Sequence, residues 1–406
     1  MRNNPLVSVI IPVYNRAAMV GQAIKSVLAQ TYPYSEIIVV DGHSTDNTLE
    51  VLASFGGRIS ILQQTGKGIG NARNEGIAAA QGELIAFLDS DDYWLPRKLE
   101  LQVRFLQRHP AIDLVHTDFR SVNQDGELIR ASAETPLRLV SPAEFAQYEM
   151  VYNCIALSTV CLRQKVLPKP NTFDITIRAS EDWNLWVQLL LQGCKFSYIP
   201  EVLAVYQVHL DALSFYAPPS FSGERIVEQA LSQPLDFLKP EQARWVKQRA
   251  FTMKKMWAAT NKYNQGEKRE AAQHLQELLE SYHYQNLPLE FLATFASLIP
   301  GFTLSPAERA QVELEAVEFA ATALDFTKIG ASEKQVKSLR QILVNVAKLR
   351  IYLTQKRRIN LNYLQQILRA NPIILVDNRL LKRIGTTVQL QLKARWRKAV
   401  YKISPR

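Results

Sequence analysis

The chain has 406 residues, is 47% hydrophobic and 21% charged, and carries a formal net charge of +10. That apolar content excludes wholesale disorder, which needs low hydrophobicity and dense charge, and the length suits two domains or one large domain with an appendage. The charge is unevenly placed: residues 340–406 hold sixteen basic side chains against the single acid Asp377, a net of +15, so residues 1–339 sum to −5. Three cysteines, Cys154, Cys161 and Cys194, form neither a disulfide framework nor a zinc spacing and point to a reducing compartment. The N-terminal residues carry no apolar leader region, and no stretch reaches the roughly 18 apolar residues of a membrane span, so neither a signal peptide nor a span is expected.

Over the first 115 residues, strand and helix patterns alternate. Val7-Ser8-Val9-Ile10-Ile11 is an apolar run closed by Pro12 and reads as a buried strand. A helical pattern through Ala23, Ile24, Val27 and Leu28 follows, then a strand at Ile37-Ile38-Val39-Val40 ending at Asp41. Residues 48–55 read as helix, 59–62 as strand, 71–80 as helix, 84–88 as strand, 97–107 as helix and 114–117 as strand. Continuous β-branched runs alternating with helices predict a mainly parallel sheet covered on both faces. Ligands in such sheets bind at the carboxyl ends of the strands. Three strands end there in polar residues, Tyr14-Asn15, Asp41 and Asp89 to Asp92, so chain geometry alone gathers these side chains at one edge.

Asn123-Gln124-Asp125-Gly126 predicts a hairpin turn. Ser180 reads as the N-cap of a helix over 181–192, with Trp183, Trp186, Val187 and Leu190 at helical spacing and Gly193 at its end. Two short strands, 196–199 and 202–206, follow. Ala217-Pro218-Pro219-Ser220 marks a boundary. Beyond it helices are expected over 224–237, 240–264, 267–282, 288–298, 306–325, 332–353 and 360–370. The domains expected are therefore an α/β body over 1–216, a helical region over 217–375 and a basic amphipathic tail over 376–406.

Asp89-Ser90-Asp91-Asp92 concentrates the chemistry. Three carboxylates in four residues repel one another in a crevice, and a hard divalent cation shared with a diphosphate relieves that repulsion. A solvated turn with a helix cap is the plainer account of such a triplet, but its place at a strand end favours function.

Six segments resemble family 2 glycosyltransferases of the GT-A fold: Val9-Ile10-Ile11-Pro12-Val13-Tyr14-Asn15, Asp41-Gly42-His43-Ser44-Thr45-Asp46, Ala72-Arg73-Asn74-Glu75-Gly76, Phe87-Leu88-Asp89-Ser90-Asp91-Asp92, Glu181-Asp182-Trp183 and Tyr206-Gln207-Val208-His209. They run in the family's order over roughly residues 5–215, leaving the helical region uncovered.

The resemblance implies transfer of a sugar from a nucleotide-diphosphate sugar, with UDP the favoured nucleotide, to a hydroxyl of a glycan, lipid-linked or other acceptor, with inversion and with Mn²⁺ or Mg²⁺. It implies a setting in cell-surface polysaccharide or glycolipid synthesis. Pro12, Tyr14, Asn15, Asp41, Arg73 and Asp89 would then bind the nucleotide-sugar, and Asp91, Asp89 and His209 the metal. Asp182 would be the base, supported by Glu181, because the acceptor hydroxyl must lose its proton as it attacks.

Each role has a structural alternative. Asp41 and Asp46 are also suited to cap a helix, Arg73 to form an ion pair, Asp92 to support its neighbours or cap a helix, Trp183 to stack on a sugar or to pack, and His209 to sit as a satisfied loop residue. The chain departs from the family at Gly42-His43, at Gln207 in place of Arg, and at Gln188. It lacks the Gln-x-x-Arg-Trp signature near 215–230, which argues against processive polymerisation.

A dinucleotide-binding oxidoreductase is the rival reading: Gly66-Lys67-Gly68-Ile69-Gly70 opens a helix after a strand, but Asn71 stands where the third glycine belongs. A non-catalytic binding protein is disfavoured by the intact Asp89, Asp91 and Asp182.

The tail patterns separately. Val388, Leu392, Trp396, Ala399, Val400 and Ile403 share one helical arc, with Lys393, Arg395, Arg397, Lys398 and Lys402 outside it. That is the pattern of an interfacial helix on an anionic membrane surface, or of a helix packed on its neighbour with a solvated basic face. Without glycine-rich or aromatic-interleaved recognition patterns, a nucleic-acid partner is not expected. The expected location is cytoplasmic, with the tail as a peripheral contact to the inner face of the cytoplasmic membrane.

Overall fold

The computed structural model describes residues 4–130, 142–177, 179–209 and 220–280, with Glu315 and Phe319. The helices expected beyond 280, the tail over 376–406 and Ala217-Pro218-Pro219 lie outside the described residues.

Nine strands form one sheet: β1 (Val7–Val13), β2 (Ser35–Asp41), β3 (Ser60–Gln63), β4 (Leu84–Phe87), β5 (Tyr93–Trp94), β6 (Leu114–Val122), β7 (Leu128–Arg130), β8 (Cys161–Arg163) and β9 (Phe196–Gln207). Their spatial order is β3-β2-β1-β4-β8-β6-β9-β5, with β7 beside β6. The first four strands pair in parallel, β8 runs antiparallel to β4 and β6, and β6 and β9 are again parallel. Every residue of β1 and β4 is buried, which accounts for their unbroken apolar runs. Proline is tolerated within β1 because β4 pairs only with Val7–Ile10, leaving Pro12 beyond that ladder.

Helices α1 (Ala17–Leu28), α2 (Thr48–Ala53), α3 (Ile69–Ala79) and α4 (Lys98–Arg108) alternate with these strands. α1 and α4 bury Val20, Ile24, Leu99 and Val103 in one cluster with Val9, Ile11 and Leu84. α3 approaches β1 and β2 closely: a Cβ on Gly76 would stand 2.5 Å from Ile10 Cγ2 and 3.3 Å from Val40 Cγ2. The Gly76 of the Ala-Arg-Asn-x-Gly segment is therefore a packing residue.

The predicted hairpin joins β6 to β7. Asn123 Oδ1 accepts from the backbone of Asp125 and Glu127, and Gly126 takes φ +78°. The two short strands expected over 196–206 are one continuous strand, β9. Its register against β6 shifts at Asp118, where Pro200 and Glu201 bulge to the surface. Polar residues at the bulge gave the impression of two elements.

After α5 (Pro142–Glu149) and α6 (Glu181–Leu191), the helices α7 (Ser220–Leu231), α8 (Pro240–Asn264) and α9 (Lys268–Glu280) follow. The chain divides into two compact units, Met1–Ala250 and Phe251–Arg406, at a point within α8. In the first unit, α7 packs against α6. In the second, Gly266 at φ +80° turns the chain, and Lys255 pairs with Glu277 between the antiparallel arms of a helical hairpin. No helix among the described residues is long and apolar enough to cross a membrane.

Candidate active site

Because β2, β1 and β4 are parallel neighbours, their carboxyl ends bring Asp41, Tyr14-Asn15 and Asp89 to Asp92 to one edge. The site divides into the loop around Asp41, an acidic centre at Asp91, and the Glu181-Asp182 pair at the start of α6.

Asp41 is fully buried. Its Oδ2 accepts from Ser44 N at 3.1 Å and Gln63 Nε2 at 2.8 Å, while Oδ1 is buried without a partner. Asp41 caps the following loop rather than a helix, and its orphaned oxygen is suited to an N–H of a bound base. Asp46 does the helix work: its carboxylate accepts from the Thr48 hydroxyl, from Ala17 N at 3.2 Å and from Thr48 N at 3.0 Å, which together hold its pKa below the usual value.

Asn15, at φ +50°, accepts from Thr45 N at 2.7 Å and donates its own N–H to Ser44 Oγ. It shapes the loop that frames Asp41. Pro12 is buried in β1, and Tyr14 is 57% exposed at the mouth. His43, the departure noted in sequence, sits at φ +65° and bonds Gln64 O at 2.8 Å, so it closes this loop onto the end of β3.

Arg73 is 2% exposed. Its Nη2 donates to Asp89 Oδ1 at 2.7 Å, its Nη1 to Glu181 Oε1, and its guanidinium lies 5.4 Å over the Phe173 ring. Burial works against the charge, but Asp89 and Glu181 hold the guanidinium protonated. One fork thus ties α3, the end of β4 and the start of α6 together. The adjacent Asn74 pins the Phe173 backbone from both sides at 2.8 Å, and Glu75 accepts from Thr65 N and Gly66 N at 3.0 Å. The Gly66–Gly70 loop therefore spends its first amides on its own carboxylate, which removes them from any dinucleotide cradle.

Asp91 remains 22% exposed. Its Oδ2 is 2.9 Å from His209 Nε2 and 3.8 Å from Arg16 Nε. Asp92 is buried: Ser158 Oγ donates to Oδ2 at 2.6 Å and Gln207 N to Oδ1 at 3.1 Å. Burial and the charges of Asp91 and Asp89 push its pKa well up. Asp92 is thus a brace that joins β4 to β9 and sets His209 two residues further on. The Gln207 side chain turns away to Gln22 on α1 at 3.1 Å.

Ser180 is the N-cap of α6, as expected, but stands in the left-handed region at φ +64°; its hydroxyl makes no cap bond, and its carbonyl accepts the first helical bond, from Asn184 N. Asp182 is half-buried. Its Oδ1 accepts from Trp183 N at 2.7 Å and Asn153 Nδ2 at 3.2 Å. Burial and the adjacent Glu181 raise its pKa to about 7 against the pull of Arg73. Trp183 is 2% exposed, and its indole donates to Glu149 O at 2.7 Å, so it packs and does not present a ring to solvent. Sequence patterns had not singled out Gln63, Asn153, Glu149 or Ser158. Gln63 and Glu149 are the last residues of β3 and α5, and Asn153 and Ser158 lie in short turns, where no periodicity marks them.

A parallel half-sheet with an acidic edge, extended by antiparallel strands and a second acidic motif on a helix, defines a GT-A-type α/β domain. Residues 8–154 match the family described as Glycosyl transferase family 2. The chain is 34% identical over 188 residues to the UDP-Glc:alpha-D-GlcNAc-diphosphoundecaprenol beta-1,3-glucosyltransferase WfgD of Escherichia coli, covering 46% of this chain and 70% of that one. It is 31% identical to the putative teichuronic acid biosynthesis glycosyltransferase TuaG of Bacillus subtilis, covering 52% of this chain and 82% of that one. The chain belongs to glycosyl transferase family 2.

An uncharacterised glycosyltransferase of Rickettsia conorii is 38% identical over 46% of this chain, and the match spans only 30% of that protein. A second from Rickettsia typhi, 30% identical over 51% of this chain, is spanned over 65%. The crystal structure of Staphylococcus aureus TarS 1–349 in complex with UDP-GlcNAc has the same fold, with a TM-score of 0.53 at 18% identity over 83% of this chain and 90% of that one.

Proposed function

We propose that the protein transfers a sugar from a nucleoside-diphosphate sugar to an acceptor hydroxyl in a single displacement that inverts the anomeric centre. The observation that carries this reading is Asp182: a half-buried carboxylate with its pKa raised to about 7, linked through Glu181 and Arg73 to Asp89 at the strand edge. A base near neutral pH has both the right ionisation and enough basicity to take a hydroxyl proton. A single base on the acceptor side suits one displacement rather than two.

Asp41, with its orphaned Oδ1, suits the nucleotide base, and UDP is the favoured nucleotide. WfgD is named for UDP-Glc, and the TarS structure holds UDP-GlcNAc, which supports that choice. Arg73 would face the diphosphate while paired with Asp89 and Glu181. It fixes Asp89 and Glu181 and so sets the distance between donor and base.

The residues fit a hard divalent cation, Mn²⁺ or Mg²⁺. Asp91 is partly exposed, His209 Nε2 is 2.9 Å from it, and Asp89 lies two residues away. Among the described residues no three acidic, His or Cys side chains gather as a metal site, so the substrate diphosphate would have to supply the remaining ligands. Such a cation would neutralise the charge developing on the leaving diphosphate.

The acceptor is proposed as a lipid-linked or growing glycan in cell-surface polysaccharide synthesis, the setting of the WfgD and TuaG names. The basic pattern over 388–403 supports a peripheral contact with an anionic membrane from the cytoplasmic side.

The test is a nucleotide-sugar panel assayed for hydrolysis and transfer with Mn²⁺, Mg²⁺ or EDTA, the product's anomeric configuration being read by NMR. Metal-independent turnover or a retained configuration would overturn the corresponding part.

A further inference from the structure

Asp182 has two oxygens with unequal surroundings. Oδ1 takes two hydrogen bonds, from Trp183 N and from Asn153 Nδ2, while Oδ2 takes none among the described residues. The segment that delivers Asn153 is braced from several sides. Met150 N and Tyr152 N continue the turn of α5 by bonding Ala146 O and Tyr148 O. Glu149 Oε2 accepts from Cys154 N at 3.0 Å, closing the loop around Asn153. Glu149 O is held by the Trp183 indole on the same helix turn as Asp182. Arg249 Nε donates to the Tyr152 hydroxyl on the other side. An exposed amide on so constrained a turn is preorganised against its partner.

We propose that Asn153 is a positioning residue for the base: it occupies Oδ1 of Asp182, so that Oδ2 is the oxygen that takes the acceptor proton. This rests on the proposed transferase reading. In the step, the acceptor O–H bond breaks as its oxygen bonds the anomeric carbon. The anomeric carbon–oxygen bond to the diphosphate breaks with its electron pair leaving on phosphate, and the proton goes to Oδ2 and then to solvent. A hydrogen bond to the ionised form also favours ionisation, so Asn153 keeps Asp182 a usable base despite its setting. The charged and titratable groups around Asp182 are Glu181 on its own helix, Arg73 from α3 and Glu149 from α5; Glu181 and Glu149 disfavour its charge and Arg73 favours it.

The experiment is a carboxyl-¹³C aspartate NMR titration of the full chain. The Asp182 resonance is assigned by its disappearance in Asp182→Asn. In Asn153→Ala its midpoint should rise by about one pH unit, since one bond to a charged carboxylate is lost. The rate profile for hydrolysis of UDP-glucose with Mn²⁺ should move alkaline by the same amount. Turnover at pH 7 should then fall about fivefold, as the ionised fraction drops from about a half to about a tenth, with KM for UDP-glucose unchanged. Asn153→Gln, which keeps the donor, should restore part of the shift.

If Asn153→Ala does not fold, Asn153→Asp keeps the side-chain shape and adds a like charge, and its midpoint should rise further. A midpoint that stays at the wild-type value, with or without lost stability, overturns the proposal. If instead Asp182→Asn retains full turnover, the base reading fails, whereas the NMR midpoint still reports the Asn153 contact.

Discussion

Replacing Arg73 by Met tests the central brace. The Arg73 side chain is 3% exposed, Glu181 is 7% exposed and Asp89 is 28% exposed. Removing the guanidinium leaves Glu181 buried without its counter-charge. Breaking a buried pair from one side costs about 3–5 kcal/mol. The exposed half of the fork, Asp89, adds little because solvent screens it. For a unit of this size each kcal/mol moves Tm by about 2–4 °C, so a fall of roughly 6–20 °C is expected in differential scanning calorimetry at pH 8. Adding Glu181→Gln should recover part of the loss, with a coupling of about 1–3 kcal/mol. A variant within 1 kcal/mol of wild type at pH 8 would refute the reasoning.

Asp182→Asn should lower kcat by about 10²–10⁴-fold with donor KM little changed, as for loss of a general base, measured by coupled detection of released nucleotide. In the intact protein kcat/KM should rise with pH through about 7, since the base acts ionised, and a flat pH–rate profile between 5 and 9 would count against it. Gly76→Ala should destabilise by about 1–3 kcal/mol in urea unfolding, because its Cβ would press on the Ile10 and Val40 side chains of the sheet. Burial pushes the Lys98 ammonium down to about 7. The unfolded chain then binds more protons between about 7 and 10, and stability should rise with pH there by up to about 1.4 kcal/mol per unit. Lys98→Met should flatten that slope in unfolding measured at pH 7 and 9.

The parallel half of the sheet was legible because buried strands must be apolar on both faces, so β1, β2 and β4 appear as unbroken runs. Their polar last residues were legible for the same reason: a carboxylate after such a run has only the sheet edge to occupy. The helix carrying Asp182 was legible from Trp183, Trp186, Val187 and Leu190, all buried. Its start at Glu181 with Ser180 in the N-cap position was legible too; only the left-handed backbone of Ser180 and the absence of a hydroxyl cap bond were not. β9 was divided in two because a bulge of Pro200 and Glu201 breaks the alternation without breaking the ladder. Asn153 and Glu149 were silent because Asn153 lies in an irregular turn and Glu149 is the last residue of α5, and a lone polar residue in either place leaves no period.

The motif residues also divide in a way that sequence order conceals. In Ala72-Arg73-Asn74-Glu75-Gly76, each of the five helps to hold the fold together. Ala72 is buried, Arg73 bridges two carboxylates, Asn74 pins the Phe173 backbone, Glu75 closes the preceding loop, and Gly76 lets the helix touch the sheet. Asp92 and Asn15 are likewise braces. What stays open is sparse: Asp41 Oδ1 without a partner, Asp91 part-exposed beside His209, and Asp182 Oδ2. Those open groups require carboxylates held apart on three different elements, and like charges in one crevice drive such elements apart. The buried Arg73 fork and the Asp92 link between β4 and β9 oppose that tendency. The segment can thus mark the family by the framework it builds, because Arg73 and its neighbours set the distances between carboxylates carried on separate elements.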